Sequence, residues 1–305
     1  MRCRFCRTRS VEVFLRMYNL PLCRDHFISF FYKRIRETIE KYKMFGLEDK
    51  VVVAVSGGKD SLALALALKD LGYSVIGYFL DLGIPEGSAF ARETVIRFGE
   101  KFSIPVHVEE LRSVFGYSLV QISEIMRRPA CSFCGTLKRY YMNRFARSIE
   151  ADVLCTGHTM FDEATVLFSN VLQWKEEYLF RQLPVLPEEQ GLTKKAKPLA
   201  FITERETAIY CFFKGVDYLD LPCPLSSGAK SRRVKLRLLQ LEEDSPGTIN
   251  RFLKGFYSFR KKINFSSFNK EDIQPCRECG YPTTADRFCS VCRMKRKLSE
   301  NVKNE

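Results

Sequence analysis

Apolar positions along the chain fall into two rhythms. Residues 51–55, Val51-Val-Val-Ala-Val55, form a continuous apolar run, as expected of a strand buried on both faces. The helical pattern over 61–71 is followed by a second buried strand at 73–80. Strand, helix, strand in this order predicts parallel pairing through a right-handed crossover. The alternation continues with a helix near 89–102, a strand at 105–109, a helix around 136–149, a strand at 152–155 and a helix over 162–172. Together these predict a doubly wound α/β parallel sheet of about five strands.

Around this centre the rhythm changes. Upstream, Phe30, Phe31, Ile35, Ile39 and Tyr42 alternate with Lys33, Arg34, Arg36 and Lys41, which predicts an amphipathic helix over 27–45 with a basic face toward water. Beyond Trp174 the pattern is less regular, with prolines at 184, 187 and 198 and the basic stretch Lys194-Lys195-x-Lys197. Helical periodicity returns at 203–214 and 234–241. The expected organisation is an N-terminal module at 1–27, a linking helix at 28–50, a central domain at 51–265 and a C-terminal module at 270–298.

Composition narrows the partner. The 305 residues carry 49 Lys plus Arg against 36 Asp plus Glu, a formal charge of +13, which favours a polyanion such as nucleic acid. No run of about 18 uncharged apolar residues occurs, and Met1-Arg-Cys-Arg-Phe-Cys does not resemble a signal peptide, so a cytoplasmic protein away from membranes is expected.

Most of the twelve cysteines fall in C-x-x-C or C-x-x-H pairs. Disulfides suit small secreted domains better than a chain of this kind. Cys3-x2-Cys6 with Cys23-x2-His26 can close one zinc tetrahedron, and Cys276-x2-Cys279-x9-Cys289-x2-Cys292 a second, for two Zn2+ in all. The ribbon's flanking Arg293, Lys295, Arg296 and Lys297 suit either phosphate contact or a solvated tail.

Ser56-Gly57-Gly58-Lys59-Asp60-Ser61 lies between a buried strand and a helix, where glycines permit a tight turn and amides converge on an anion. It lacks the G-x4-G-K-[ST] spacing of a kinase-type phosphate loop. Asp81 ends the second strand at the sheet edge where nucleotides bind, as a nucleotide or magnesium contact or as a turn former. Gly157-His158 and Asp162-Glu163 reach the same rim, Asp162 as a magnesium or substrate contact or as a helix cap. Cys131-x2-Cys134 precedes a helix bearing Lys138, Arg139, Arg144 and Arg147, and Cys223 in Pro222-Cys223-Pro224 is its expected third partner. Three thiolates suit either an iron-sulfur cluster with an open iron or a persulfide relay. Cys155 and Cys211 read as small core residues.

In this order the motifs closely resemble the TtcA/TtuA family of tRNA 2-thiolation enzymes, especially the TtuA-like branch with zinc fingers at both ends. The resemblance spans nearly the whole chain: the N-terminal Cys/His pairs, SGGKDS, Cys131-Ser-Phe-Cys134-Gly-Thr-Leu-Lys-Arg-Tyr, Gly157-His158, Asp162-Glu163-Ala164, Pro222-Cys223-Pro224 and the terminal ribbon. It implies a PP-loop ATP pyrophosphatase fold. ATP would be bound by Ala54, Ser56, Gly57, Gly58, Lys59, Asp60, Ser61, Asp81 and Gly157, with Mg2+. It also implies one 4Fe-4S cluster on Cys131, Cys134 and Cys223, with Lys138 and Asp162 in the active site.

The expected reaction is ATP-dependent adenylation of the 2-oxygen of a tRNA uridine, followed by its replacement with sulfur. The target is 5-methyluridine 54 in the TtuA-like branch and wobble uridine 34 in close relatives. The family also implies a ubiquitin-like thiocarboxylated sulfur carrier protein and a homodimer. A PP-loop ligase using amine attack and a non-catalytic zinc-ribbon tRNA-binding protein are the alternatives. One departure stands out: where the family reads G-H-N-x-D-D-E, this chain has Gly157-His-Thr-Met-Phe-Asp-Glu163, with Thr159 for asparagine and Phe161 for the first aspartate.

Overall fold

The computed structural model describes residues 1–85, 87–220, 223–226, 230–262 and 273–303. Near the N-terminus, β1 (Val13–Leu15) and β2 (Leu20–Leu22) pair as an antiparallel hairpin. Helix α1 (Arg24–Lys41) follows at once, so His26 stands in its first turn instead of ahead of it. Phe27, Phe31, Ile35 and Ile39 recur every four residues and are fully buried, which makes α1 part of the core rather than a linker. Arg34 departs from the expected basic face: it is buried, 2.5 Å from Glu206 and also donating to the Phe201 carbonyl.

The central unit begins with β3 (Lys50–Ala54), α2 (Lys59–Asp70), β4 (Ser74–Asp81), α3 (Gly87–Phe102) and β5 (Val106–Glu110). Short helices α4 (Leu111–Phe115) and α5 (Leu119–Ile125) lead to α6 (Cys131–Ser148). Cys131 and Cys134 therefore lie within the first turn of α6, not before the helix. Next come β6 (Val153–Thr156), α7 (Met160–Leu172), α8 (Glu176–Arg181), β7 (Val185–Leu186), β8 (Lys194–Ala196) and α9 (Glu204–Lys214). The chain closes with α10 (Lys230–Asp244), α11 (Thr248–Lys262), β9 (Gln274–Pro275), β10 (Pro282–Thr283) and α12 (Ser290–Lys303).

The main sheet has six strands in the order β5-β4-β3-β6-β8-β7. All neighbours pair in parallel except β7 with β8. The sequence pattern anticipates about five strands because β7 is only two residues long and β8 is short and basic, so neither shows a strand period; sheet pairing supplies what propensity does not.

Side-chain alternation assigns each face of the sheet its own core. Val51, Val53, Phe79, Val153 and Cys155 pack with α1, α2, α3 and α9. Val52, Tyr78, Leu80 and Leu154 face α5, α6 and α12. The N-terminal cysteines Cys3 and Cys23 belong to the first core, and Cys276, Cys289 and Cys292 to the second. The two cysteine modules thus brace opposite faces of one sheet. Between them α2 is buried along Ser61–Leu68, where leucines alternate with alanines; each fully buried leucine contributes about 1.5–3 kcal/mol. A third cluster joins α7, α10 and α11 through Met160, Phe161, Leu238, Leu253 and Tyr257. No described helix is long and apolar enough to cross a membrane.

Candidate active site and metal centres

After β3 the chain moves out through β4 to β5, and then returns to place β6 on the other side of β3. That reversal opens a crevice at the carboxyl ends of β3 and β6, the place where open α/β sheets bind ligands. The 56–61 loop fills one side of it. Gly57 has φ +81°, and Gly58 is the N-cap of α2, so the loop amides and the helix dipole face the same rim. Ser61 Oγ ties the loop together, accepting from the Ser56 amide at 3.1 Å and donating to the Gly58 carbonyl at 3.0 Å. Gly157, just past β6, closes the other side. A Cβ there would stand 2.8 Å from the Ser61 nitrogen, so only glycine permits this approach.

Charged groups flank the loop. Lys59 Nζ lies 3.2 Å from Asp60, whose other oxygen accepts from the Thr207 hydroxyl. Burial raises the Asp60 pKa, against the opposing effects of Thr207 and Lys59. Ala54 ends β3 directly below the loop. Asp81 Oδ1 accepts from the Gly83 amide at 2.8 Å, so it forms the turn after β4. It also borders a groove of about 590 Å³ shared with Ile84, Ser88 and Arg92.

Asp162 sits at the third position of α7. Its Oδ2 accepts from the Thr159 amide at 2.9 Å and hydroxyl at 3.0 Å, making the capping box that the local sequence allows. Its Oδ1 accepts from Lys235 Nζ at 2.7 Å, and Lys235 also pairs with Glu204. Burial opposes ionisation of Asp162, but the Lys235 ammonium outweighs it and holds the pKa below the ordinary aspartate value. Glu163 turns the other way, into a buried pair with Lys197 at 2.8 Å. Lys197 of the basic stretch is thereby used inside the fold. His158 is exposed, with Nδ1 2.7 Å from the Thr156 hydroxyl.

The departures from the family motif have local roles. Thr159 caps α7, and Phe161 is buried among α7, α10 and α11.

The cysteine trio approaches this crevice from α6. Leu219, four residues before Cys223, donates its amide to the Gly57 carbonyl at 2.8 Å. Cys131 Sγ donates to the Leu225 carbonyl at 3.2 Å. The described residues on either side of Cys223 therefore touch the phosphate loop and the head of α6. Cys131 and Cys223 are exposed, and Cys134 is half-buried. Burial pushes the Cys134 thiol up; the charges it then feels are Lys138, one turn along α6, the other two thiols and Arg139. No hydrogen bond or ion pair joins Lys138 to Asp162 among the described residues.

The terminal quartets are tighter. Cys3, Cys6, Cys23 and His26, and likewise Cys276, Cys279, Cys289 and Cys292, have ligand atoms within 4.8 Å of one another; these are the only such groups among the described residues. Both first pairs fold in the same way. The amide after the second cysteine returns to the first cysteine's carbonyl, Arg7 to Cys3 at 2.9 Å and Gly280 to Cys276 at 2.8 Å. Arg7 and Gly280 both have positive φ, 58° and 68°. Amides of Cys289 and Cys292 donate to Cys276 Sγ and Cys289 Sγ, at 3.2 and 3.4 Å, as thiolate ligands require. Both donor sets fit a tetrahedral zinc ion. Cys131, Cys134 and Cys223 do not form such a tight group among the described residues, and as three thiolates they suit a four-iron cluster, which would take each thiolate on its own iron.

The PP-loop domain family model matches residues 30–220. The Thermotoga maritima protein named tRNA-5-methyluridine(54) 2-sulfurtransferase is 41% identical over 307 residues, covering 100% of this chain and 99% of its own. This chain belongs to the TtcA/TtuA family. A second member of it, from Pyrococcus horikoshii and bearing the same name, is 35% identical across 99% of this chain and 97% of its own. The U34-tRNA thiolase NcsA from Methanococcus maripaludis, solved with its [4Fe-4S] cluster, matches with TM-score 0.83. It covers 98% of this chain and 96% of its own at 24% identity, which shows a shared fold.

Set beside the family motifs, four residues escape sequence reasoning: Glu204, Thr207, Leu219 and Lys235. Glu204 and Thr207 lie in the first turns of α9, capped by Thr203 in a Thr-x-x-Glu capping box. That box was a visible signal of the helix start, though not of its place in the site. Lys235 sits in a charged stretch of α10 with no motif to mark it.

Proposed function

We propose that this chain is an ATP-dependent tRNA uridine 2-sulfurtransferase acting on 5-methyluridine 54. The observation that carries the reading is the pair of contacts on either side of Cys223, from Leu219 to Gly57 of the phosphate loop and from Leu225 to the thiol of Cys131. Nucleotide activation and sulfur delivery require that proximity, and a nucleotide-binding scaffold alone does not. Full-length relatives named for this reaction support it.

Two bonds form and two break. The uridine 2-oxygen attacks the α-phosphorus of ATP, and pyrophosphate leaves with the electrons of the broken Pα–O bond. Sulfur then adds at C2, and AMP departs with the former 2-oxygen. Lys59 and the amides of 57–61 hold the phosphates, where a bound Mg2+ would supply further neutralisation of their charge. Lys138 stabilises charge on the activated oxygen, and Asp162 orients the base or the metal. Bound by Cys131, Cys134 and Cys223, a 4Fe-4S cluster would supply an iron without a protein ligand at which sulfide is held. The target base must leave its stack to be reached.

Zinc in both terminal quartets would brace the two faces of the sheet. The family reading adds a ubiquitin-like thiocarboxylated protein as sulfur donor, a homodimer and a cytoplasmic setting.

The test is pyrophosphate release measured with and without unmodified tRNA. Release that needs tRNA and disappears in Lys59→Ala supports the reading. Equal release without tRNA contradicts it.

A further inference from the structure

Helix α6 carries a charged face that the crevice leaves unused. Arg139, Asn143 and Arg147 recur at four-residue spacing and share that face, over about 12 Å of helix. Strand β8 runs beside it. Ala196 enters the core on the opposite side of the sheet, so alternation turns Lys195 toward α6. The Thr193 amide donates to Asn143 Oδ1 at 2.9 Å and fixes the strand to this helix face.

The cations converge on the C-terminal ribbon. Arg139 folds back over Gly135, its guanidinium 3.1 Å from where a Cβ would stand. The Arg147 guanidinium lies against Gly191 beside Pro282 of the ribbon, and Tyr140 of the same helix packs on Tyr281 with ring centroids 4.5 Å apart. Lys195 is half-buried with Arg139 as its charged neighbour, and no described carboxylate forms an ion pair with any of the three. Asn143, fully buried between the arginines, leaves its Nδ2 without a partner. A solvated face would not bury a lysine beside a like charge. Holding Lys195 half-buried beside a like charge without a counter-charge costs free energy, which a bound anion returns.

We infer that Arg139, Arg147 and Lys195 form a phosphate-binding strip that seats the tRNA backbone between the C-terminal ribbon and the cysteine pair of α6. The inference rests on the tRNA reading above and adds to it the path by which the polyanion reaches the site. The strip starts at Arg147, beside Pro282 of the ribbon, and ends where Arg139 covers Gly135, next to Cys134, so a strand lying along it is led toward the thiols.

The test is equilibrium binding of unmodified tRNA to the full chain across a salt series, alongside ATP binding, for wild type, Arg139→Ala/Arg147→Ala and Lys195→Met. Both arginines are exposed, so the double variant does not depend on repacking. Each lost phosphate contact is expected to flatten the slope of log K against log salt by about 1 and to weaken tRNA binding on the order of tenfold, with ATP affinity unchanged. An unchanged slope in the double variant overturns the strip. So does a loss confined to ATP affinity, which would assign these cations to the nucleotide. Wild-type protein that binds no tRNA would instead defeat the functional reading itself.

Discussion

Lys235 Nζ lies 2.7 Å from Asp162 Oδ1, joining α10 to the first turn of α7 across 73 positions of sequence. The same ammonium meets Glu204 of α9. Three helices are thereby pinned around one carboxylate, and that carboxylate stands at the rim of the nucleotide crevice. Lys235 acts through Asp162, by fixing its orientation and keeping it ionised.

Lys235→Met is expected to lower kcat by at least about tenfold while leaving ATP affinity unchanged, and Lys235→Arg to restore part of it. The pH profile separates positioning from general damage. With Lys235 present the Asp162 pKa is depressed below about 3.8, so its stabilising ionisation is in force above that pH and is lost only as pH falls through the lower folded value. Without Lys235, burial is left to push the carboxyl up, and the acid limb of the rate profile moves to higher pH. An unmoved limb would show that Lys235 is only a packing residue.

Gly157→Ala tests the closeness of the crevice walls. The new Cβ would press on Ser61 at 2.8 Å, against backbone that cannot yield cheaply. Weaker ATP binding and a stability loss of about 1–3 kcal/mol are expected from calorimetry and thermal unfolding. Wild-type ATP affinity in this variant would separate Gly157 from the nucleotide site.

Thiol chemistry should divide the cysteines sharply. In metal-stripped protein, Cys131 and Cys223 are exposed and should alkylate fast, whereas Cys155 is fully buried. Burial pushes the Cys211 thiol up to about 12, so it should remain unmodified near neutral pH. Peptide mass spectrometry over a time course reads both classes. Cys223→Ala should abolish thiolation with ATP binding intact; full activity would remove the third thiol from the account.

Zinc analysis should return two ions per chain, one for each terminal quartet. Cys276→Ala should lose one of them and loosen the α5–α6–α12 side, lowering the unfolding temperature while the N-terminal quartet keeps its ion. A single zinc in the wild type would contradict the two-site reading.

Much of this is legible in the sequence. Buried strands such as Val51–Val55 announce a parallel sheet because both faces need apolar cover, and the Ser56–Ser61 turn can sit nowhere but at a strand end. What escaped depends on contacts distant in sequence. β8 is a strand only because β6 and β7 flank it, and its lysines hide the pattern. The sequence places Cys131 ahead of a helix because Cys-Ser-Phe-Cys-Gly carries little helical propensity, yet tertiary contacts draw it into the first turn of α6. Lys235 and Thr207 lie in ordinary helical surroundings, and only folding brings them to Asp162 and Asp60.

The most direct measurement is nucleoside mass spectrometry of unmodified tRNA after incubation with anaerobically prepared protein, ATP, magnesium and a sulfide source. The account predicts one sulfur in place of one oxygen on 5-methyluridine at position 54, formed only when ATP is present. Thiolation at position 34 would reject the target, and a nitrogen adduct or no mass change from cluster-loaded protein would contradict sulfur transfer itself.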